Sequence, residues 1–414
     1  MCLHWPATPT AARAGARGDV MTVHERGVRH GRLRPRSGIR TLVIGVAAGL
    51  GVLAVSGTSL VAIATASISR NVADNAVDLG VAPPAGGAQP GAIGGGFDVL
   101  VVGTDNDPTQ GDDFGIRDST LNDVNILLHV AADHRSATVI SFPRDLILDR
   151  PACTDPATGV VTEAATGVPL NSAFQYGGLA CVNDTLQQFT GLTVPYAGWV
   201  SFNGVIEMSN AVGGVPVCLT GPILDTDSGL DLPAGTSTVS GAMALSFLRS
   251  RHGVGNQSDL SRISSQQQYL ASLMRTVRSA DTLSNVPALY GLAQATSSNV
   301  HLSTSLTSPA TMISLALALK DVDLSKMVFV QYPALDDPDY PGKVVPNAEV
   351  GAELMSRVLS DQPVTLASDA PAGEAPAGEA PAGQAGALPV TPAPEAVDAP
   401  GQTAAQETCA VPSN

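Results

Sequence analysis

The chain has 414 residues, room for two average domains or for one large domain with appendages. Its formal net charge is −15, with only 14% charged and 4% aromatic residues, so it lacks the basic face that a nucleic-acid binder needs. The imbalance is uneven: residues 1–40 carry eight arginines against Asp19 and Glu25, a net of +6, and the remainder is strongly acidic.

No charged residue lies between Thr41 and Ser69, and Leu42 to Ile63 reads as one apolar helix. A helix rising about 1.5 Å per residue needs about 20 residues to cross the hydrocarbon, so 41–66 is expected to be a transmembrane helix. Arg26, Arg29, Arg32, Arg34, Arg36 and Arg40 precede it and predict a cytoplasmic tail over 1–40. The chain beyond residue 66 is then expected outside the cell membrane. Ala64-Thr65-Ala66 resembles a signal-peptide cleavage site, but the apolar run is too long for that reading. Met21 is an alternative start.

Residues 67–95, rich in Ala, Gly and Pro, read as an extracellular tether. Beyond it, strands and helices alternate. Strands are predicted over Phe97–Val102, Val124–Val130, Ala137–Phe142, Tyr196–Phe202, Val215–Leu219 and Met327–Gln331. Helices are predicted over Leu179–Phe189, from Phe202 to Gly213-Gly214, over Ser240–Leu248, from Ser308-Pro309, and over Glu349–Leu359. The clearest helix is Asp259–Ser279. Its Leu260, Ile263, Leu270, Leu273, Met274 and Val277 fall largely on one stripe, and Ser258 or Asp259 is a natural N-cap. Alternation of this kind predicts an α/β fold, a sheet flanked by helices, over 96–365. The repeats Ala370–Glu374, Ala375–Glu379 and Ala380–Gln384 cannot bury a core, so 366–414 is expected to be a disordered tail.

Of five cysteines, Cys2 falls before the apolar run, and Cys153, Cys181, Cys218 and Cys409 after it. No CxxC spacing suggests zinc or redox chemistry, so two structural disulfides are expected. The favoured pairing joins Cys153 to Cys181 across one loop and leaves Cys218 to tie down Cys409.

Polar residues gather at the predicted strand ends. Asp105 follows the first strand, Asp123 opens the second, and Arg144 and Asp145 follow the third. Downstream come Arg249 and Arg251 at i, i+2, beside His252, then Asp259, Arg262 and Gln266 at helical steps. Ligands of open α/β sheets bind outside strand ends. Arginine forks suit phosphate oxygens, and a few carboxylates with water and phosphate suit Mg²⁺. The set reads as a pyrophosphate site, with surface ion pairs as the alternative. No Walker loop or GxSxG elbow is present.

The ordered motifs Asp98–Asp105, Asn122–Val130, Ser141–Asp145, Leu170–Gly178, Asn210–Val215, Ala242–His252 and Asp259–Leu270 resemble the LytR–CpsA–Psr family of cell-wall glycopolymer transferases. The resemblance covers about 97–280. It implies an α/β/α sandwich with a central mixed sheet and a hydrophobic polyprenyl pocket. It implies a Mg²⁺-dependent phosphotransferase that moves a phosphoglycan from a polyprenyl-pyrophosphate carrier to the N-acetylmuramic acid 6-hydroxyl of peptidoglycan. Asp105 and Asp123 would be the metal carboxylates. Arg144, Arg249, Arg251 and Arg262 would hold the pyrophosphate, oriented by Asp259 and Gln266, with Asp145 or Asp123 as base. Leu121, Pro169 and Ser265 stand where the family usually has basic residues, and Arg117 is the candidate to replace the first. Polyprenyl-pyrophosphate hydrolysis, and non-catalytic binding of the lipid, are the competing readings.

Overall fold

The structure is a computed structural model, and it describes residues 72–82, 93–107, 114–115, 119–156, 158–279, 299–367 and 396–413. The expected transmembrane helix over 41–66 and Arg117 lie outside the described residues. Among the described residues no helix is long and apolar enough to cross a membrane.

The centre is a seven-stranded mixed sheet built from β1 (Phe97–Thr104), β2 (Asn122–Val130), β3 (Ala137–Phe142), β4 (Tyr196–Val200), β5 (Val300–Leu302), β6 (Met327–Gln331) and β7 (Gly401–Thr403). The order is β5-β4-β1-β2-β3-β6-β7. The pairs β4–β1 and β3–β6 are parallel; the others are antiparallel. The parallel pairs require long crossovers, which carry the helices.

Successive strand residues point to opposite faces, so β1 sends Leu100 and Val102 to one side and Val99 and Val101 to the other. The first side packs Leu127, Ile140 and Val330 against Leu179, Val182 and Leu186 of α1 (Phe174–Thr190) and Leu354 and Val358 of the late helix Ala348–Leu359. The second packs Val130, Val139 and Phe329 against Ala271 and Met274 of the helix Asp259–Arg278 and Leu315 and Ala318 of Pro309–Asp321. Helices therefore cover both faces. Each fully buried Leu or Val contributes about 1.5–3 kcal/mol, so these two layers dominate stability. A satellite core forms where the hairpins Val215–Leu219/Gly235–Val239 and Ile223–Asp225/Leu230–Leu232 close on Phe247 and Tyr269.

Most predicted elements form, with shifted ends. Helix α1 begins at Phe174, not Leu179, and kinks at Gly177-Gly178. A Cβ at Gly177 would lie 2.8 Å from Cys181 Cβ and 3.0 Å from Cys153 Cβ, so glycine admits the Cys153–Cys181 disulfide. Strand β4 stops at Val200 because Ser201 N-caps the helix α2 (Phe202–Ala211).

Two expectations are corrected. Residues 72–82 of the expected tether are docked: Val77 N–H donates to Leu302 O at 2.9 Å, and Val72 and Leu79 are buried. The tail is not free throughout 366–414. Residues 396–413 are packed, supply β7 to the open edge of β6, and are fixed by the Cys218–Cys409 disulfide. Composition signalled a chain without a core of its own; an existing edge and a covalent link supply the order instead.

His129 of β2 ties three elements together. Its Nδ1 lies 2.9 Å from Asp98 Oδ1 on β1, and its Nε2 lies 3.2 Å from Asp361 Oδ1 beyond the last helix. Burial opposes its charge, but the two carboxylates outweigh it and hold the pKa above the ordinary 6.5. The stabilisation is therefore complete below 6.5 and lost as pH rises through the folded value. Thermal melts of His129→Gln against the unsubstituted chain should differ more near pH ~5.5 than near pH ~9. Equal differences at both would contradict this.

Candidate functional site

Three further helices or helix ends build the site: α2, then α3 (Gly241–Arg249) and α4 (Asp259–Arg278). Helix α4 starts where Ser258 Oγ accepts the Ser261 N–H, and Asp259 occupies its first turn, where the helix dipole favours an anion. Residues 250–258 link Arg249, the last residue of α3, to that turn. The start of β2, the end of β3, the end of α3 and the start of α4 thus meet at one end of the sheet.

The charged groups interlock there. Arg144 Nη1 donates to Asp123 Oδ1 at 2.7 Å, and its Nε donates to Asp145 Oδ2 at 3.3 Å. Asp259 Oδ1 lies 2.7 Å from Arg262 Nη2 and 3.7 Å from Nε of both Arg144 and Arg251. Arg262 Nη2 also donates to Asp123 O at 2.8 Å. Gln266 Nε2 donates to Leu248 O at 2.9 Å, which fixes the end of α3. The Arg249 guanidinium lies 4.4 Å above the Phe202 ring. Asp105 is buried at the end of β1 and accepts the Leu121 N–H at 2.9 Å. Leu121 thereby serves the site through its backbone.

These contacts set the electrostatics. Burial alone would weaken the Arg144 charge, but Asp123, Asp145 and Asp259 reverse this and raise its pKa. Burial drives the Arg262 pKa down: Asp259 and Asp123 pull against it, and Arg251 and Arg144 add to it. Its side chain is 5% exposed, and Nε has no hydrogen-bond partner among the described residues. Such a nitrogen, charged and undersatisfied, is suited to an incoming anion.

An apolar cavity of about 320 Å³ opens beside this cluster. Val101 of β1, Ile126 of β2, Met208 of α2, Leu245 of α3, and Leu270 and Leu273 of α4 are among its walls. Asp123, Arg249, Arg262 and Gln266 line the same cavity. Val101 is 40% exposed in mid-strand because its face of the sheet looks into this space. Tyr269 also borders it, and burial pushes its phenol up to about 12.

The structure thus brings together Asp123, Arg144, Asp145, Arg249, Arg251, Asp259, Arg262 and Gln266. His252 is displaced: it stands exposed, 2.7 Å from Asp227 Oδ2. Two residues escape the sequence reading. Lys343 Nζ donates to Asp145 Oδ1 at 2.6 Å, although 198 positions separate them. It arrives because Val344 N–H donates to Asp145 O beside the start of a short strand. Asp225, the last residue of the strand Ile223–Asp225, is buried, and its Oδ2 accepts Ser250 Oγ–H (2.7 Å), Arg251 N–H (3.1 Å) and Gly253 N–H (3.2 Å). Its Oδ1 accepts Asp227 and Ser228 N–H. Asp225, Asp227 and His252 are close enough to surround a cation. Five donors already occupy Asp225, so its work is to hold the arginine loop.

A cluster of ion-paired arginines and aspartates thus sits at the rim of an apolar cavity in an α/β fold. The chain belongs to the LytR_cpsA_psr family, whose model matches residues 62–350. Cell wall biosynthesis protein LcpA of Corynebacterium glutamicum is 31% identical over 238 residues, covering 50% of this chain and 45% of that protein. Polyisoprenyl-teichoic acid–peptidoglycan teichoic acid transferase TagU of Enterococcus faecalis is 29% identical over 191 residues, covering 46% and 56%. The chain thus spans about half the length of these relatives. The crystal structure of protein gbs0355 from Streptococcus agalactiae matches the fold with a TM-score of 0.51 at 21% identity, covering 64% of this chain and 88% of that one.

Proposed function

We propose that this chain is a membrane-anchored glycopolymer phosphotransferase, moving a phosphoglycan from a polyprenyl-pyrophosphate carrier to a peptidoglycan hydroxyl. The observation that carries the reading is the shared wall: one apolar cavity is lined by Arg249, Arg262 and Gln266 at the end where the ion pairs gather. A long hydrocarbon with a diphosphate head matches that division. The names of the relatives, a teichoic acid transferase among them, favour the same class. The run Leu42–Ile63 would be the anchor, with the described domain on the outer side.

In this reading Arg144, Arg251 and Arg262 bind the diphosphate oxygens, and Arg249, braced on Phe202, adds a fourth guanidinium at the cavity. The acceptor hydroxyl oxygen bonds to the sugar-linked phosphorus as the bridging P–O bond breaks. Polyprenyl phosphate leaves with that electron pair. Asp145 or Asp123 takes the hydroxyl proton. The arginines stabilise charge that grows on the leaving phosphate, and positioning supplies the rest. The carboxylates of Asp105 and Asp123, hard oxygen donors at adjoining strand ends, suit Mg²⁺, which needs few protein ligands. Bound there, it would neutralise phosphate charge.

Arg251→Ala and Arg249→Ala are expected to lower transfer of a polyprenyl-pyrophosphate-linked glycan about 10²–10³-fold, the scale for losing a preorganised charge donor. Their melting midpoints should stay near that of the unsubstituted chain. Normal transfer by both variants would refute the site.

A further inference from the structure

Residues 401–413 lie beyond residue 350, where the family match ends. They form a strap that runs from β6 to residues 253–255. Strand β7 pairs with β6, and Ala404 O and Gln406 O then accept Arg275 Nη1 from the far end of α4 at 2.8 and 2.9 Å. Cys409 is bonded to Cys218. Ala410 N–H donates to Cys218 O at 2.8 Å, and Ala410 O accepts Thr220 N–H at 2.9 Å. The strap is thus fixed covalently and by backbone pairing just before its tip.

The tip reaches the arginine loop. Gly255 N–H donates to Val411 O, and Ser413 N–H donates to Gly253 O, both at 2.9 Å, and Val254 forms an antiparallel bridge with Pro412. On its other side the same loop is held by Asp225, through Ser250, Arg251 and Gly253. Two glycines flank Val254, and Gly255 sits at φ +49°, so the segment has little conformational preference of its own. Arg251 precedes it by two residues, and Asp259 and Arg262 lie beyond it.

We propose that the strap tip, Val411–Ser413, is a positioning element for Arg251 and the first turn of α4, clamping the loop against Asp225. The function it serves rests on the phosphotransferase reading above. Its mechanical part does not. The disulfide holds the strap in place whether or not the tip is present, so the tip can be removed alone.

The test is the full chain ended after Ala410, which keeps β7 and Cys218–Cys409. It loses two backbone hydrogen bonds, so displaced loop conformations should gain at least ~10-fold in population. Amide exchange at Gly255 should accelerate by that factor. The kcat for transfer should fall about tenfold, with a smaller change in KM for the lipid donor. The melting midpoint should move by no more than a few degrees. Ser413→Ala keeps its backbone N–H and should match the unsubstituted chain in every readout. Unchanged exchange over 251–255 in the shortened chain would overturn the proposal, as would a Ser413→Ala defect equal to the truncation. An unsubstituted chain with no transfer at all would defeat the enzymatic reading instead, and the exchange measurement would still decide whether the tip holds the loop.

Discussion

Asp259→Ala should be among the most damaging single substitutions in this chain, lowering transfer about 10²–10³-fold and stability by about 3 kcal/mol. Three arginines share this one carboxylate: Arg262 at 2.7 Å, and Arg144 and Arg251 at 3.7 Å. Removing it leaves Arg262 buried with Asp123 as the nearest remaining compensation, and an uncompensated buried charge is the expensive case. The helix loses as well, because Asp259 sits in the first turn of α4, where a negative charge contributes about 0.3–1 kcal/mol. Asp259→Asn separates the effects. It keeps the volume and an oxygen acceptor but removes the charge that draws the guanidinia together. The alanine variant should shift the urea midpoint most, and both variants should lose kcat/KM. Unfolding curves and transfer rates that match the unsubstituted chain would mean that something else organises the arginines.

Much of this arrangement is legible before any coordinates. The stripe through Leu260, Ile263, Leu270 and Leu273 marks α4, and the polar steps Asp259, Arg262 and Gln266 fall on the face that meets the strand ends. Arg144 and Asp145 close a fully buried strand, an uneconomical place for charge unless it has partners. What escapes is non-local. Lys343 lies in a Pro/Gly/Asp-rich stretch that reads only as a turn, and backbone pairing beside Asp145 gives it its role. Gly401-Gln402-Thr403 has no apolar alternation, and becomes a strand because β6 has an unpaired edge. The sequence Asp225-Thr-Asp-Ser reads as an Asx turn, which it is through Oδ1, while Oδ2 faces a loop 25 residues away. One carboxylate doing both jobs leaves no trace in local spacing.

That second job makes Asp225→Ala the other large prediction. Four backbone N–H groups and the Ser250 hydroxyl converge on this carboxylate, and Ser250 and Gly253 are themselves buried. Each buried donor left without an acceptor costs about 1–3 kcal/mol, and part is recovered if water enters. The loop carrying Arg251 should relax to limit that cost, so transfer is expected to fall ~100-fold, with amide exchange at Arg251 and Gly253 accelerated in parallel. Asp225→Asn should recover little, because its NH₂ would face donors wherever a second oxygen is required. The acid limb of stability provides an independent check. Burial works against the Asp225 charge, but the hydrogen bonds from Ser250, Ser228, Gly253 and Asp227 prevail and set its pKa below the ordinary 3.8. A depressed folded pKa contributes stability that is present above 3.8 and lost as pH falls through the folded value. The stability gap between the unsubstituted chain and Asp225→Asn should therefore be full at neutral pH and narrow only below 3.8. A gap that closes well above that pH would show that the carboxylate charge is not what holds the loop.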